Sequence, residues 1–332
     1  MLARAGSALY ARRTMDLLVE SSPTLGERVR AHVALTKPRI IELLLVTALP
    51  TMFLAAQGLP TWRATVAVLI GGALAAGAAN TFNSIYDRDI DSVMHRTTKR
   101  PAVTGRVSVR AGFLQGLLLT AASITTLTVL ANPLSALLAG LAIVGYAIGY
   151  TMLLKRRTDQ NIVWGGAAGC MPVLIAWTAV TGSLAWTPVV LFLLVFWWTP
   201  PHYWPLAIKY RDDYRAADIP MLPAVRGPKV VARHIVAYSW VMVATSLALI
   251  FVAPMGWVYA IGAASLGAAF LVQAYRLWAS VRRDCRSSSV DGSSPQTDYS
   301  ERSLKLSMQL FHGSITYLAV IFLLVGLDPF VR

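Results

Sequence analysis

The chain has 332 residues, of which 56% are hydrophobic and 14% charged, with a mean hydropathy of +0.56. Uncharged runs long enough to cross a bilayer recur along it, which excludes a soluble globular protein, and their continuous apolar character excludes a β-barrel. The net charge of +14 falls in loops rather than on a compact basic domain, so a membrane topology signal accounts for it and nucleic acid is not an expected partner.

Residues 1–34 hold Arg4, Arg12, Arg13, Arg28 and Arg30 among small and polar residues. No apolar core leads to a small-residue cleavage site, so the stretch is not a secretory signal. Asp16, Glu20 and Glu27 set it apart from an acid-poor mitochondrial presequence, and it reads as a cytoplasmic tail. Residues 35–332 read as one transmembrane domain of the all-α class, with about nine spans around a central cavity.

The first two spans are expected at 40–57 and 64–84, and the next two at 111–131 and 134–154, parted by Asn132-Pro133. The fifth and sixth cover 162–181 and 186–208, parted by Thr181-Gly182-Ser183. The seventh and eighth cover 233–252 and 256–278, with Ala253-Pro254 as the breaker, and the ninth covers 306–327. A polar, flexible loop is expected near 281–303. Nearly all Lys and Arg fall in the tail and in 87–110, 155–160, 209–234 and 281–305. Those segments share one face, which puts the amino terminus on the cytoplasmic side of a bacterial inner membrane. Cys170 lies in an apolar run and Cys285 in a polar loop, so neither a disulfide nor a thiolate metal site is expected.

The second span runs into Asn83-Ser84-Ile85-Tyr86-Asp87-Arg88-Asp89-Ile90-Asp91. Asn83, Asp87 and Asp91 stand at i, i+4 and i+8, one helix face with about 40° between steps. Acids at the edge of a membrane span mark function. A row of hard oxygens suits Mg²⁺, which keeps waters and binds through one or two carboxylates plus substrate phosphates. Asp89 points off that face. Arg96, Lys99 and Arg100 follow; they read either as phosphate-binding groups or as a solvated basic loop obeying the topology rule.

A second polar cluster starts at Pro200-Pro201-His202 inside an apolar run and ends at Lys209-Tyr210-Arg211-Asp212-Asp213-Tyr214. On a helix, His202, Leu206, Lys209 and Asp213 form a stripe from the membrane interior to its charged edge, though Pro205 should bend it. His202 reads as a substrate-facing ring or as a satisfied packing histidine. Asp212, Asp213 and Asp218 share no face of an ideal helix and can converge only if the chain turns after Tyr214. Tyr150-Thr151 with Lys155-Arg156-Arg157-Thr158 reads as a diphosphate contact or as a plain stop-transfer cluster. Trp197, Trp198 and Trp204 read as lipid-facing or packing aromatics.

Asn83-x-x-x-Asp87-x-x-x-Asp91 resembles the first acidic motif of the intramembrane prenyltransferase superfamily. Four further segments narrow the resemblance: Leu35-Thr36-Lys37-Pro38-Arg39, Met94-x-Arg96-Thr97-x-x-Arg100-Pro101, Tyr150-Thr151-x-x-Leu154-Lys155-Arg156, and Pro200-Pro201-His202-Tyr203-Trp204. Asp212-Asp213-Tyr214 with Ile219-Pro220-Met221-Leu222-Pro223 adds to them. Together they resemble the protohaem IX farnesyltransferases, over about 35–225. Pro205, where Ala is expected, and Asp218, where a small residue is expected, depart from that pattern.

The resemblance implies farnesyl transfer from farnesyl diphosphate to a vinyl group of haem b, with addition of water and Mg²⁺ as cofactor. It implies catalytic roles for Asp87, Asp91, Asp213 and His202, and metal contact by Asn83, Asp87, Asp91, Asp212 and Asp213. Substrate contact falls to Asn83, Arg96, Lys99, Arg100, Tyr150, Lys155, Lys209 and Trp204. The implied partners are the two substrates, the lipid bilayer, and a downstream haem-modifying enzyme or oxidase assembly factors. Three other functions compete: a prenyltransferase with a quinone-type aromatic acceptor, a transporter of an amphipathic anion, and a haem-binding assembly factor.

Overall fold

The computed structural model describes residues 24–290 and 299–331. The arginines expected to mark the tail at 4, 12 and 13, and the centre of the expected polar loop, lie outside the described residues. Among those described, the chain is all-helical.

Helix α1 (Leu25–Leu35) opens at Thr24, whose side chain accepts from Glu27 N while Glu27 Oε2 accepts from Thr24 N, a reciprocal cap. The remaining long helices are α2 (Pro38–Ala56), α3 (Trp62–Tyr86), α5 (Val109–Leu130), α6 (Pro133–Leu154) and α7 (Asn161–Thr181), then α8 (Trp186–Lys209), α11 (Pro228–Val252), α12 (Trp257–Val290) and α13 (Glu301–Val331). Short helices α4 (Arg88–Val93), α9 (Arg211–Ala216) and α10 (Leu222–Val225) lie in the basic connections. Local chemistry sets the starts: Thr61, Ser108 and Asn132 each accept a first-turn N–H, and Pro38, Pro133 and Pro228 stand where no N–H is needed. Gly182, at φ 71°, ends α7 in the left-handed conformation that glycine tolerates.

Eight of these helices are long and apolar enough to cross a membrane. The expected sixth span, α8, forms a helix of 24 residues but stands outside that group; Pro200, Pro201, His202, Tyr203 and Pro205 make it polar for its length. The helix runs on through its three prolines. One expectation needs correction: residues 281–290 continue α12 as helix instead of starting a loop. Residues 25–34 of the expected tail belong to a helix packed on the domain.

Helices α2, α7, α8 and α13 pack each on the next in a closed ring. Helices α3, α5 and α6 complete one side of the bundle, and α11 and α12 the other. Small residues allow close approach: a Cβ on Gly112 or Gly116 would stand 2.5 Å or 2.6 Å from Ile85 or Phe82, so α3 meets α5 nearly backbone to side chain. The largest core lies on the α8–α11–α12–α13 side, where Trp204, Tyr259, Tyr317, Phe270 and Phe322 are fully buried. The site described next opens inside the ring, at the end of the bundle where α3 stops.

Candidate active site

Helix α3 ends at Tyr86, and Asp87 serves as the joint to α4 with φ −82° and ψ 9°. The backbone still links Asp87 N to Asn83 O at 3.0 Å and Asp91 N to Asp87 O at 2.8 Å, so the three side chains keep the expected common face. All three are buried, Asp87 completely. Asn83 Nδ2 donates to Asp87 Oδ2 at 2.7 Å and to Thr151 Oγ1 at 3.1 Å.

Cations grip this row. Lys155 Nζ lies 2.5 Å from Asp87 Oδ2, and Arg100 donates to Asp91 Oδ2 at 2.6 Å. Arg156 holds Asp89 through two bonds of 2.8 Å and lies 3.8 Å from Asp87 Oδ1. That pairing keeps the Asp89 carboxyl below the usual carboxylate range.

Lys37 was not among the residues the sequence marked as functional. It sits between α1 and α2 at φ 54°, a left-handed conformation that costs a lysine about 1–3 kcal/mol. There it donates from Nζ to Asn83 Oδ1 at 2.5 Å. Burial, then the charges of Arg100 and Lys155, push its ammonium down to about 7. The signal available was its place in the Leu35-Thr36-Lys37-Pro38-Arg39 segment, at the start of an apolar span.

A cavity of about 360 Å³ opens beside the row. Lys37, Asn83, Asp91, Arg96, Arg100 and Lys155 form its polar mouth, while Ile40, Leu44, Ile162, Val195, Trp198 and Leu318 give it apolar walls. Asp87 lies just behind Asn83 and Lys155. Tyr146 and Tyr150 enter from the last ten residues of α6, Gly145–Leu154, which wind as a π-helix, a distortion common at functional sites. Gly165 on α7 makes room for the Tyr150 ring.

The second polar cluster reaches the same cavity, but through aromatic groups. Arg96 donates to Tyr214 Oη at 3.1 Å, and Tyr214 shares a 3.0 Å bond with Tyr203 Oη. His202 lies between Trp198 and Phe311, with ring centres at 4.1 Å and 4.8 Å. Ser314 Oγ donates its hydrogen to Phe311 O at 2.6 Å, so it accepts from His202 Nδ1 at 2.7 Å. The bare nitrogen of His202 is therefore Nε2.

Other expected site residues are not brought to the cavity. Trp204 is fully buried and packs edge-on to Tyr238 and His234. Lys99 and Lys209 are exposed, Lys209 over the Tyr210 ring. Asp212 is exposed and pairs with Arg211 and Arg215. Asp213 is half-buried, with Oδ2 lacking a hydrogen-bond partner. Of the three tryptophans, only Trp198 lines the cavity.

Among the described residues, no three His, Cys, Asp or Glu side chains gather as a metal cage. A dedicated cage is not what Mg²⁺ requires, since it takes one or two carboxylates with waters and substrate phosphates. Asp87 Oδ1 fits that role as a buried carboxylate oxygen with no hydrogen-bond partner.

Comparison with known proteins shows the family. The UbiA prenyltransferase family model matches residues 44–292. The chain is 50% identical over 323 residues to a protoheme IX farnesyltransferase of Paenarthrobacter aurescens (strain TC1), covering 96% of each protein. It is 52% identical over 311 residues to a protoheme IX farnesyltransferase of a Nocardioides species, covering 94% of each. Among solved structures, digeranylgeranylglyceryl phosphate synthase superposes with TM-score 0.69 at 14% identity, over 90% of this chain and 99% of that one. A UbiA homologue from Archaeoglobus fulgidus, bound to GPP and Mg²⁺, superposes with TM-score 0.57 at 18% identity, over 89% of this chain and 99% of that one. At those identities the likeness is one of fold.

Proposed function

The chain belongs to the UbiA prenyltransferase family, and from that premise we propose that it transfers the farnesyl group of farnesyl diphosphate to a vinyl group of haem b, in a Mg²⁺-dependent reaction. One observation carries the reading beyond family membership. A buried acidic row ringed by cations stands at the mouth of an apolar cavity whose wall holds His202 with Nε2 bare.

In this reading Asn83, Asp87 and Asp91 would hold the metal, without Asp213, which stands off the cavity. When bound, Mg²⁺ supplies Lewis-acid neutralisation of the diphosphate. Lys155 and Arg100, now paired with the carboxylates, turn to the diphosphate oxygens, where Lys37 and Arg96 also face the mouth. The farnesyl C1–O bond breaks and the diphosphate leaves with the electron pair. The terminal vinyl carbon bonds to C1, the adjacent carbon takes the oxygen of a water, and one proton is released. The apolar walls and the Trp198 face shelter the allylic cation from other water. His202 Nε2 offers its lone pair to the haem iron or to the proton of the adding water.

The basic connections support a bacterial plasma membrane location with this site on the cytoplasmic side. Purified protein supplied with farnesyl diphosphate and Mg²⁺, beside haem b, a hydroxybenzoate and a naphthoate, tests the acceptor. The expected result is haem consumption with diphosphate release. Prenylation of an aromatic acid alone would replace the haem assignment with a quinone-type acceptor.

A further inference from the structure

Helix α1 docks by one face only. Ala31 and Leu35 pack with Val107, and His32 and Gln115 bond reciprocally, His32 Nδ1 to Gln115 Oε1 at 2.6 Å and Gln115 Nε2 to His32 O at 3.0 Å. At its end, Asn80 Nδ2 donates to Thr36 O at 3.0 Å. On the outer face Leu25, Val29 and Val33 are 79%, 54% and 50% exposed. Their i, i+4, i+8 spacing makes one unpartnered apolar stripe.

The docking contacts fix how deep this helix lies. Asn80 is six residues inside the end of α3, and Gln115 six residues inside the start of α5, each about 9 Å along a helix that crosses the membrane. A chain segment bonded at that depth lies within the layer where amphipathic helices bury their apolar face, about 5–10 Å into the headgroup and acyl boundary. Beside α1, a cleft of about 820 Å³ is lined by Arg28, Arg30, Lys99 and Arg106, with Glu27 as its acidic member. Such a cationic rim next to an apolar stripe complements an anionic phospholipid.

We infer that α1 is an interfacial helix, seated in the bilayer through Leu25, Val29 and Val33, with an anionic phospholipid headgroup in the Arg30–Lys99–Arg106 cleft. The consequence reaches the site, because Leu35 is two residues from Lys37 and its carbonyl accepts from Ser84 Oγ on α3. Lipid on the outer face of α1 thus steadies the residue that bonds Asn83. This placement needs only the membrane setting of the bundle, and it holds whatever the acceptor proves to be.

Nitroxide labels at Val29→Cys and Arg30→Cys, each with Cys170→Ser and Cys285→Ser, test it in vesicles containing phosphatidylglycerol. The label at 29 is expected to relax faster with oxygen than with a water-soluble nickel chelate, and the label at 30 to show the reverse. Nickel access at 29 equal to that at 30 would put the stripe in water and overturn the proposal. Dipolar broadening at 29 would also overturn it, in favour of a second copy of the chain. Native mass spectrometry of the otherwise unaltered protein supplies the headgroup arm. Phosphatidylglycerol is expected to be retained and then lost in the Arg30→Glu, Arg106→Glu double variant. Equal retention would remove the cleft from the proposal.

Discussion

Gly165→Ala is a sharp test of how the π-helical end of α6 serves the site. An alanine Cβ at 165 would stand 2.0 Å from Tyr150 Cδ2 and 2.5 Å from Cε2. Ordinary contact begins at about 3.4 Å, so the ring must retreat by about 1.4 Å. Tyr150 is followed by Thr151, which accepts from Asn83, and by Lys155, which holds Asp87. Moving the ring therefore disturbs the partners of the acidic row. Overpacking of this kind costs about 1–3 kcal/mol, and the better helix propensity of alanine returns up to about 1 kcal/mol. The protein should stay folded. A misplacement of about 1 Å in a positioned group lowers turnover by about 100-fold, and that is the expected loss. Gly149→Ala is the control, because nothing lies within 4 Å of its would-be Cβ. The assay is haem turnover with thermal unfolding measured in parallel. A Gly165→Ala enzyme at the parental rate, or a Gly149→Ala enzyme equally slow, would refute the reasoning.

Asp87→Asn and Asp91→Asn should each slow diphosphate release by about 100-fold or more while the protein still inserts, and near-normal rates in both would remove the metal role. His202→Ala should weaken haem use more than diphosphate binding, as read by separate titrations of the two; equal loss of both would count against its place on the acceptor side. Lys37 gives a pH signature. Its folded value of about 7 lies below the ordinary 10.5, so the native state binds fewer protons than the unfolded chain between those values, and ligand-free stability should rise with pH across that window. Bound diphosphate favours the ammonium, so binding above pH 7 should take up a proton, seen as buffer-dependent heat in calorimetry and absent in Lys37→Met. Identical heats in buffers of different ionisation enthalpy would rule out the linkage.

The long helices were legible because a bilayer demands long apolar runs, and breakers such as Asn132-Pro133 and Gly182 sit where the runs stop. Helix α1 was missed because it is too short to read as a span, although Thr24-x-x-Glu27 carried its start signal. The extension of α12 past residue 281 was missed because a polar sequence was read as loop. In the site, the Asn83–Asp87–Asp91 row followed from helical spacing and survived the joint at Asp87. What spacing does not encode is the partner across the cavity. Lys37 returns to Asn83 through a left-handed backbone, and Arg96 finds Tyr214, a contact spanning 118 positions. Trp204 shares a segment with His202 yet faces the opposite side of α8, into the core.

The most direct measurement is mass spectrometry of haem extracted after incubation with farnesyl diphosphate, with and without Mg²⁺. A haem heavier by one farnesyl group and one water, formed only with the metal, is the expected product. Haem b recovered unchanged while the diphosphate is consumed, or prenylated equally well in the presence of a chelator, would contradict a metal-held diphosphate beside a haem-accepting cavity.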